Sequence, residues 1–169
     1  VAPVTQEWNF NVELARVMAE VLHDRHGITS EIISHYEGAG YSAAMHWLAA
    51  RLKALNVKAA VELHFNSSAN RQARGHEWLY WHASARGRNL ANWLSAAYSR
   101  AHPLCPARGA KPVENDRGGE FLRRTHCPAV ICEPFFGTNA TDWNFVRKNV
   151  RTIAAAMASG ISQSISSPL

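Results

Sequence analysis

Segments with strand character alternate with segments of helical character through most of this chain. That alternation limits the fold more than any other feature. "SEIISHY" (30–36), "VKAAVELHF" (57–65), "HEWLYWH" (76–82) and "PAVICEPFF" (128–136) read as strands. The last is a continuous apolar run of the kind that is buried on both faces of a sheet. Between these runs, apolar residues recur at helical spacing: Phe10, Leu14, Val17 and Val21 within 7–25; Met45, Leu48 and Leu52 within 42–55; Leu90, Leu94 and Tyr98 within 84–101. A last helix is expected at about 140–158. Thr5 is placed to cap the first helix and Gly27 to end it. "HPLCPARGAKP" (102–112), with its prolines and glycine, reads as irregular. The expectation is an α/β fold: a three-layer sandwich whose mostly parallel or mixed central sheet is flanked by helices.

At 169 residues the chain has the size of one domain. The expected unit is 1–169, with the Ser-rich tail 162–169 frayed. No apolar run approaches the roughly 20 residues of a membrane span, so membrane insertion is not expected. The formal charge is +5 with nine histidines held neutral. Such a balance draws acidic partners. The basic residues are scattered, however (Arg71, Arg74, Arg86, Arg88, Arg123, Arg124, Arg147, Lys148), and read as a solvated surface rather than a nucleic-acid stripe. The three cysteines, Cys105, Cys127 and Cys132, are odd in number and lack paired spacing, which argues against a disulfide framework. Together with His102 and His126 they also lack the C-x₂-C spacing of a structural zinc site.

The second face of "VELHFN" (61–66) carries the first candidate chemistry. Val61, Leu63 and Phe65 share one side of the strand; Glu62, His64 and Asn66 share the other. In α/β folds, sites lie at the carboxyl ends of the strands. His64 lies near such an end, and so does Glu133, which follows the apolar Val130, Ile131 and Cys132. A carboxylate there is costly unless paired, hydrogen-bonded or metal-bound. Glu7 opens the first helix on the side of Phe10, Asn11 and Leu14, where it complements the helix dipole or faces a site. Zinc takes His nitrogen and Asp or Glu oxygen, and a catalytic zinc uses three protein ligands plus a water. A further carboxylate near that water moves its proton. A hydrolase built on Cys132 or Cys105 with a histidine remains an alternative, since such partners need only spatial proximity.

"EWNFNVELARVMAEVL" (7–22), "VELHFNSSA" (61–69), "GHEWLYW" (75–81) and "RRTHCPAVICEPFFGTNATDW" (123–143) resemble, in order and separation, the zinc-dependent N-acetylmuramoyl-L-alanine amidases of bacterial wall remodelling and phage endolysins. The resemblance implies Glu7 and His64 as ligands of one Zn²⁺, Glu133 as the catalytic carboxylate, and Asn66 beside the metal, orienting ligand or substrate. It implies peptidoglycan as the partner, hydrolysis of the amide between the muramic acid lactyl group and L-alanine as the reaction, and the bacterial cell wall as the place of action. Apart from the resemblance, a monomer is expected, and with no recognition motif in the sequence no nucleic-acid partner is expected. The family's further zinc-binding His lies on a segment ahead of the helix that Glu7 opens. Only "VAPVTQ" precedes Glu7, so the catalytic domain is expected to be N-terminally incomplete. His35 is the remaining candidate for that ligand. A degenerate amidase that holds peptidoglycan without cutting it is the second expectation.

Overall fold

The computed structural model describes residues 4–114 and 118–167. Four strands form one mixed sheet in the order β1-β4-β2-β3. They are β1 (Ala60–Leu63), β2 (His76–Trp81), β3 (Ala107–Val113) and β4 (Ala129–Glu133). β4 runs parallel to β1 and antiparallel to β2, and β2 runs parallel to β3. Six helices are present among the described residues: α1 (Val4–His26), α2 (Tyr41–Ala54), α3 (Ala85–Ala101), α4 (Gly119–Arg124), α5 (Ala140–Val146) and α6 (Val150–Ser166).

The period-2 pattern of the strands divides the core in two. Val130 and Cys132 of β4, with Trp78 and Tyr80 of β2, face the α1, α3 and α6 layer, where Leu14, Leu90, Leu94 and Ile153 are fully buried. Ala129 and Ile131, with Leu79, face the α2 and α4 layer, where they meet Met45, Leu48 and Phe121. This is the expected three-layer α/β arrangement. α1 ends where Gly27 turns left-handed (φ +64°), its N–H donating to the His23 carbonyl. Thr5 lies inside α1 rather than ahead of it, because the helix already begins at Val4. The Ser84 hydroxyl accepts from the Gly87 N–H at the start of α3. Asn139 accepts from the Thr141 and Asp142 N–H groups at the start of α5.

Several expectations are corrected. "SEIISHY" (30–36) forms no strand; it lies without regular structure, with Ile32 44% and Tyr36 40% exposed. A strand is held by a ladder to a neighbour, and this stretch pairs with none of the four strands. Residues 107–112, within the stretch 102–112 expected to be irregular, belong to edge strand β3. Pro112 is tolerated there because an edge strand has one unpaired side. The register skips one residue between the His76–Ala107 and Glu77–Gly109 pairs, which bulges the strand at Arg108. The expected last helix is two. The Asn149 side chain donates to the Phe145 carbonyl at the end of α5, and its backbone opens α6. α6 then continues to Ser166, so the stretch from Ser162, expected to fray, is helical that far; residues 168–169 lie outside the described ones. Gly160 allows the close approach of α6 to α3, since a Cβ there would sit 2.9 Å from the Leu94 Cα.

Two features of this packing are testable. His76 is fully buried; its Nδ1 accepts from Trp78 Nε1–H at 2.8 Å, and its Nε2 lies 3.1 Å from the Ser99 hydroxyl. Burial pushes its pKa down to about 4, and the neighbouring His102 adds to the effect. The unfolded chain takes up that proton near pH 6.5, so stability falls as pH drops from 6.5 towards 4 and this contribution levels off below. The slope from this one group is at most about 1.4 kcal/mol per pH unit. Urea unfolding between about pH 7 and pH 4.5 should record that loss, and His76→Gln should flatten it. Gly137 lies against Phe65, and its N–H donates to the Asn66 carbonyl. A Cβ at Gly137 would overlap the Phe65 ring, so Gly137→Ala should lower stability by about 1–3 kcal/mol in the same titration.

Candidate active site

The sheet topology brings one row of polar residues to a single rim. β1 and β4 are parallel, with Leu63 beside Cys132, and His64 and Glu133 come next on the two strands. The His64 N–H donates to the Cys132 carbonyl, which carries the ladder to that point. β2 runs the other way, so its first residues meet the last of β4, and Glu77 is the direct partner of Glu133. Glu62, His64, Glu133 and Glu77 all alternate onto the face that carries Ala60, Ile131 and Leu79, at its carboxyl-end rim.

Glu7 reaches this rim from the opposite layer. The first turns of α1 are pinned to the end of β1 by two hydrogen bonds. Asn11 Nδ2 donates to the Leu63 carbonyl (2.9 Å), and the Phe65 N–H donates to Glu7 Oε1 (3.1 Å). Beneath them Phe10, Phe65, Phe135 and Trp143 pack as one aromatic cluster, with the Phe10 and Phe135 ring centres 5.3 Å apart and Phe65 and Phe135 5.0 Å apart. The Glu7 side chain, 28% exposed, therefore ends beside the half-exposed His64 imidazole.

Each nitrogen of His64 meets a carboxylate: Nδ1 lies 3.2 Å from Glu7 Oε1, and Nε2 lies 3.2 Å from Glu62 Oε1. The Glu62 bond first and the Glu7 bond second push the His64 pKa up to about 10, against the opposing effect of burial. Burial raises the Glu7 carboxyl, but the His64 and Phe65 hydrogen bonds more than offset it, and its pKa is lowered. The charge of Glu133, which is 8% exposed, also acts on His64. The rim thus favours a cation.

Asn66 faces a second carboxylate. Its Nδ2 donates to Glu77 Oε1 at 2.7 Å. Glu77 is buried, and burial alone would raise its pKa; Lys111 (3.1 Å) and Arg108 (2.9 Å) hold it below the ordinary carboxylate range. Arg108 is the residue displaced by the β3 bulge, and its guanidinium also lies 5.2 Å from the Phe136 ring centre. Asn66 forms a bridge with Phe136, which ties the loop after β1 to the loop after β4.

The structure therefore brings Glu7, His64 and Glu133 to one rim, with Asn66 bonded to Glu77 at its side. His35 is exposed in the irregular stretch and makes no described hydrogen bond or ion pair with Glu7 or His64. Glu62 and Glu77 had no assigned role in the sequence reading. The signal for Glu62 was its i, i+2 relation to His64; for Glu77 it was a lone carboxylate in an apolar strand. Cys105 and Cys132 are buried, and all three cysteines are free. Burial pushes the Cys105 thiol up to about 12, Cys127 to about 11, and Cys132 well above its ordinary value. No cysteine here has the electropositive setting of a thiolate nucleophile. Among the described residues, no three His, Cys, Asp or Glu side chains converge as a metal-ion site. The imidazole and carboxylate of His64 and Glu7 fit zinc as two donors, in kind and in spacing: two ligands about 2.0–2.2 Å from a tetrahedral ion stand roughly 3.3 Å apart.

Solved structures of the same fold cover nearly the whole chain. The catalytic domain of the CD27L endolysin targeting Clostridia Difficile superposes with a TM-score of 0.77 at 24% identity, over 92% of this chain and 82% of that one. The amidase AmiC2 of Nostoc punctiforme gives 0.78 at 19% identity, over 95% and 85%. The catalytic domain of CwlV from Bacillus (Paenibacillus) polymyxa gives 0.75 at 19%, over 96% and 88%. These likenesses establish the fold. No curated protein is detectably similar in sequence. The N-acetylmuramoyl-L-alanine amidase family model matches residues 1–163. With a match that spans both cores and the whole polar rim, the chain belongs to the N-acetylmuramoyl-L-alanine amidase family.

Proposed function

We propose that this chain hydrolyses the amide between the lactyl group of N-acetylmuramic acid and L-alanine in peptidoglycan, with zinc held at His64 and Glu7. The observation that carries the reading is the meeting of Glu7, His64 and Glu133 at one rim of the sheet, two donors and one further carboxylate. A catalytic zinc uses three protein ligands; among the described residues no third His, Cys, Asp or Glu side chain converges with these two as a metal site. Bound there, zinc supplies a Lewis acid that polarises a carbonyl and acidifies water.

The chain's own residues do the rest. Glu133 takes a proton as a water oxygen attacks the amide carbon, then gives it to the nitrogen as the C–N bond breaks, releasing a carboxylic acid and the free α-amine of L-alanine. General acid–base help of this kind contributes roughly 10²–10⁴ in rate. Glu7 keeps its carboxylate charged through its two hydrogen bonds. Asn66, held by Glu77, borders the site as a contact for ligand or substrate. The net charge of +5 favours encounter with acidic wall polymers, and the place of action is the bacterial cell wall. The protein acts as a monomer.

The absence of a third described ligand also supports a second reading, a binding module that holds peptidoglycan without cutting it. Release of stem peptides from purified walls separates the two: retention on walls with no new amino termini is the outcome for a binder. For the enzyme, Glu133→Gln should lower hydrolysis by at least about 10²-fold while zinc per chain stays as in the parent. Undiminished activity would remove Glu133 from the mechanism. His64→Ala should lose zinc by elemental analysis after dialysis, and an unchanged content would remove His64 as a ligand.

A further inference from the structure

Glu62 lies on β1 two residues before His64, on the same face. Its Oε1 meets His64 Nε2 at 3.2 Å. Its Oε2 is buried and has no hydrogen-bond partner among the described residues. The side chain is only 18% exposed, and no Lys or Arg pairs with it among the described residues. Burying a carboxylate is costly unless it is paired. Among the described residues its one hydrogen-bond and ion-pair partner is the His64 imidazole. Its effect falls on His64.

The geometry gives that effect a direction. His64 has two nitrogens, and a carboxylate stands at each. The Glu7 side is the more open of the two, with Glu7 28% and Glu62 18% exposed. Glu7 is also fixed from behind by the Phe65 N–H, which aims it at Nδ1. We propose that Glu62 is a positioning residue that accepts the Nε2–H of His64 and so presents Nδ1, on the Glu7 side, to the metal. Metal-ligating histidines commonly donate their other N–H to a carboxylate, which fixes the tautomer and ring orientation, and loss of that partner weakens metal affinity by about 10–100-fold. The proposal rests on the zinc reading above, and it assigns a role to a residue outside the ligand pair and the catalytic carboxylate.

The test is zinc affinity of the 169-residue chain, measured by competition with a chromophoric chelator, for the parent, Glu62→Gln, Glu62→Ala and Glu7→Gln. Glu62→Gln has nearly the same shape and retains an acceptor for Nε2–H, so it guards against a folding failure of Glu62→Ala; unfolding midpoints identify any variant that has lost its fold. The expected result is that Glu62→Gln binds zinc about 10-fold more weakly and Glu62→Ala up to about 100-fold, while Glu7→Gln loses more. Long-range ¹H–¹⁵N spectra of the zinc-loaded parent should show the His64 proton on Nε2 and the metal on Nδ1. Parent-like affinity in both folded Glu62 variants would overturn the proposal and leave the zinc reading intact. A proton on Nδ1, or Glu62→Gln losing zinc while Glu7→Gln keeps it, would also overturn it by exchanging the two roles. A parent chain that takes up no zinc would overturn the zinc reading itself, and the role of Glu62 with it.

Discussion

The arrangement depends on β4 pairing with neighbours of opposite direction. β1 lies parallel to it, so both deliver their carboxyl ends to the same rim. β2 lies antiparallel, so it delivers its first residues there. The result is a row of polar side chains, His64, Glu133 and Glu77, drawn from segments far apart in sequence. Were β2 parallel to β4, Glu77 would lie at the other end of the sheet and Asn66 would have no carboxylate to hold it.

Concentrating carboxylates in one place is unfavourable, and the fold offsets that cost unevenly. Glu77 is neutralised by Arg108 and Lys111 and anchors the Asn66 loop. Glu7 and Glu62 are left to share His64. One side of the rim is thus an internally balanced network, while the other has an excess of negative charge that a cation relieves. The aromatic cluster of Phe10, Phe65, Phe135 and Trp143 supplies the rigid floor, because it fixes the start of α1 against the two loops that follow β1 and β4. The reading of Glu62 follows from the same imbalance: among the described residues its carboxylate pairs with His64 and with no Lys or Arg.

The long helices and three strands were legible because their apolar periodicity is strong: Phe10, Leu14 and Val21 do face the core, as do Leu90, Leu94 and Tyr98. β3 was not legible, since Pro106, Gly109 and Pro112 are turn signals in isolation and tolerable in a bulged edge strand. "SEIISHY" failed in the opposite sense: its composition suits a strand, but a strand exists only with a partner. The break before Asn149 is marked by local bonds to the last carbonyls of α5, from the Asn149 side chain and the Lys148 N–H to Phe145 and from the Asn149 N–H to Val146, which no periodicity reveals. At the site, Glu7, His64 and Glu133 stood out as polar groups at a helix start or strand end. The hydrogen bonds made by Glu77 could not be read, because they depend on which strand lies beside which; the one made by Glu62 had only its i, i+2 relation to His64 as a signal.

The sequence by itself determined the class of fold and the types of side chain available at the strand ends, because period and composition are local properties that each segment carries alone. Only the tertiary structure decided the direction of β2, the meeting of Glu7 with His64 across two layers, the pairing of Asn66 with Glu77, and the division of the imidazole between two carboxylates. Those are contacts between residues 2 to 57 positions apart, set by backbone pairing and by the burial of shared apolar surface. Neither is a property of any one segment.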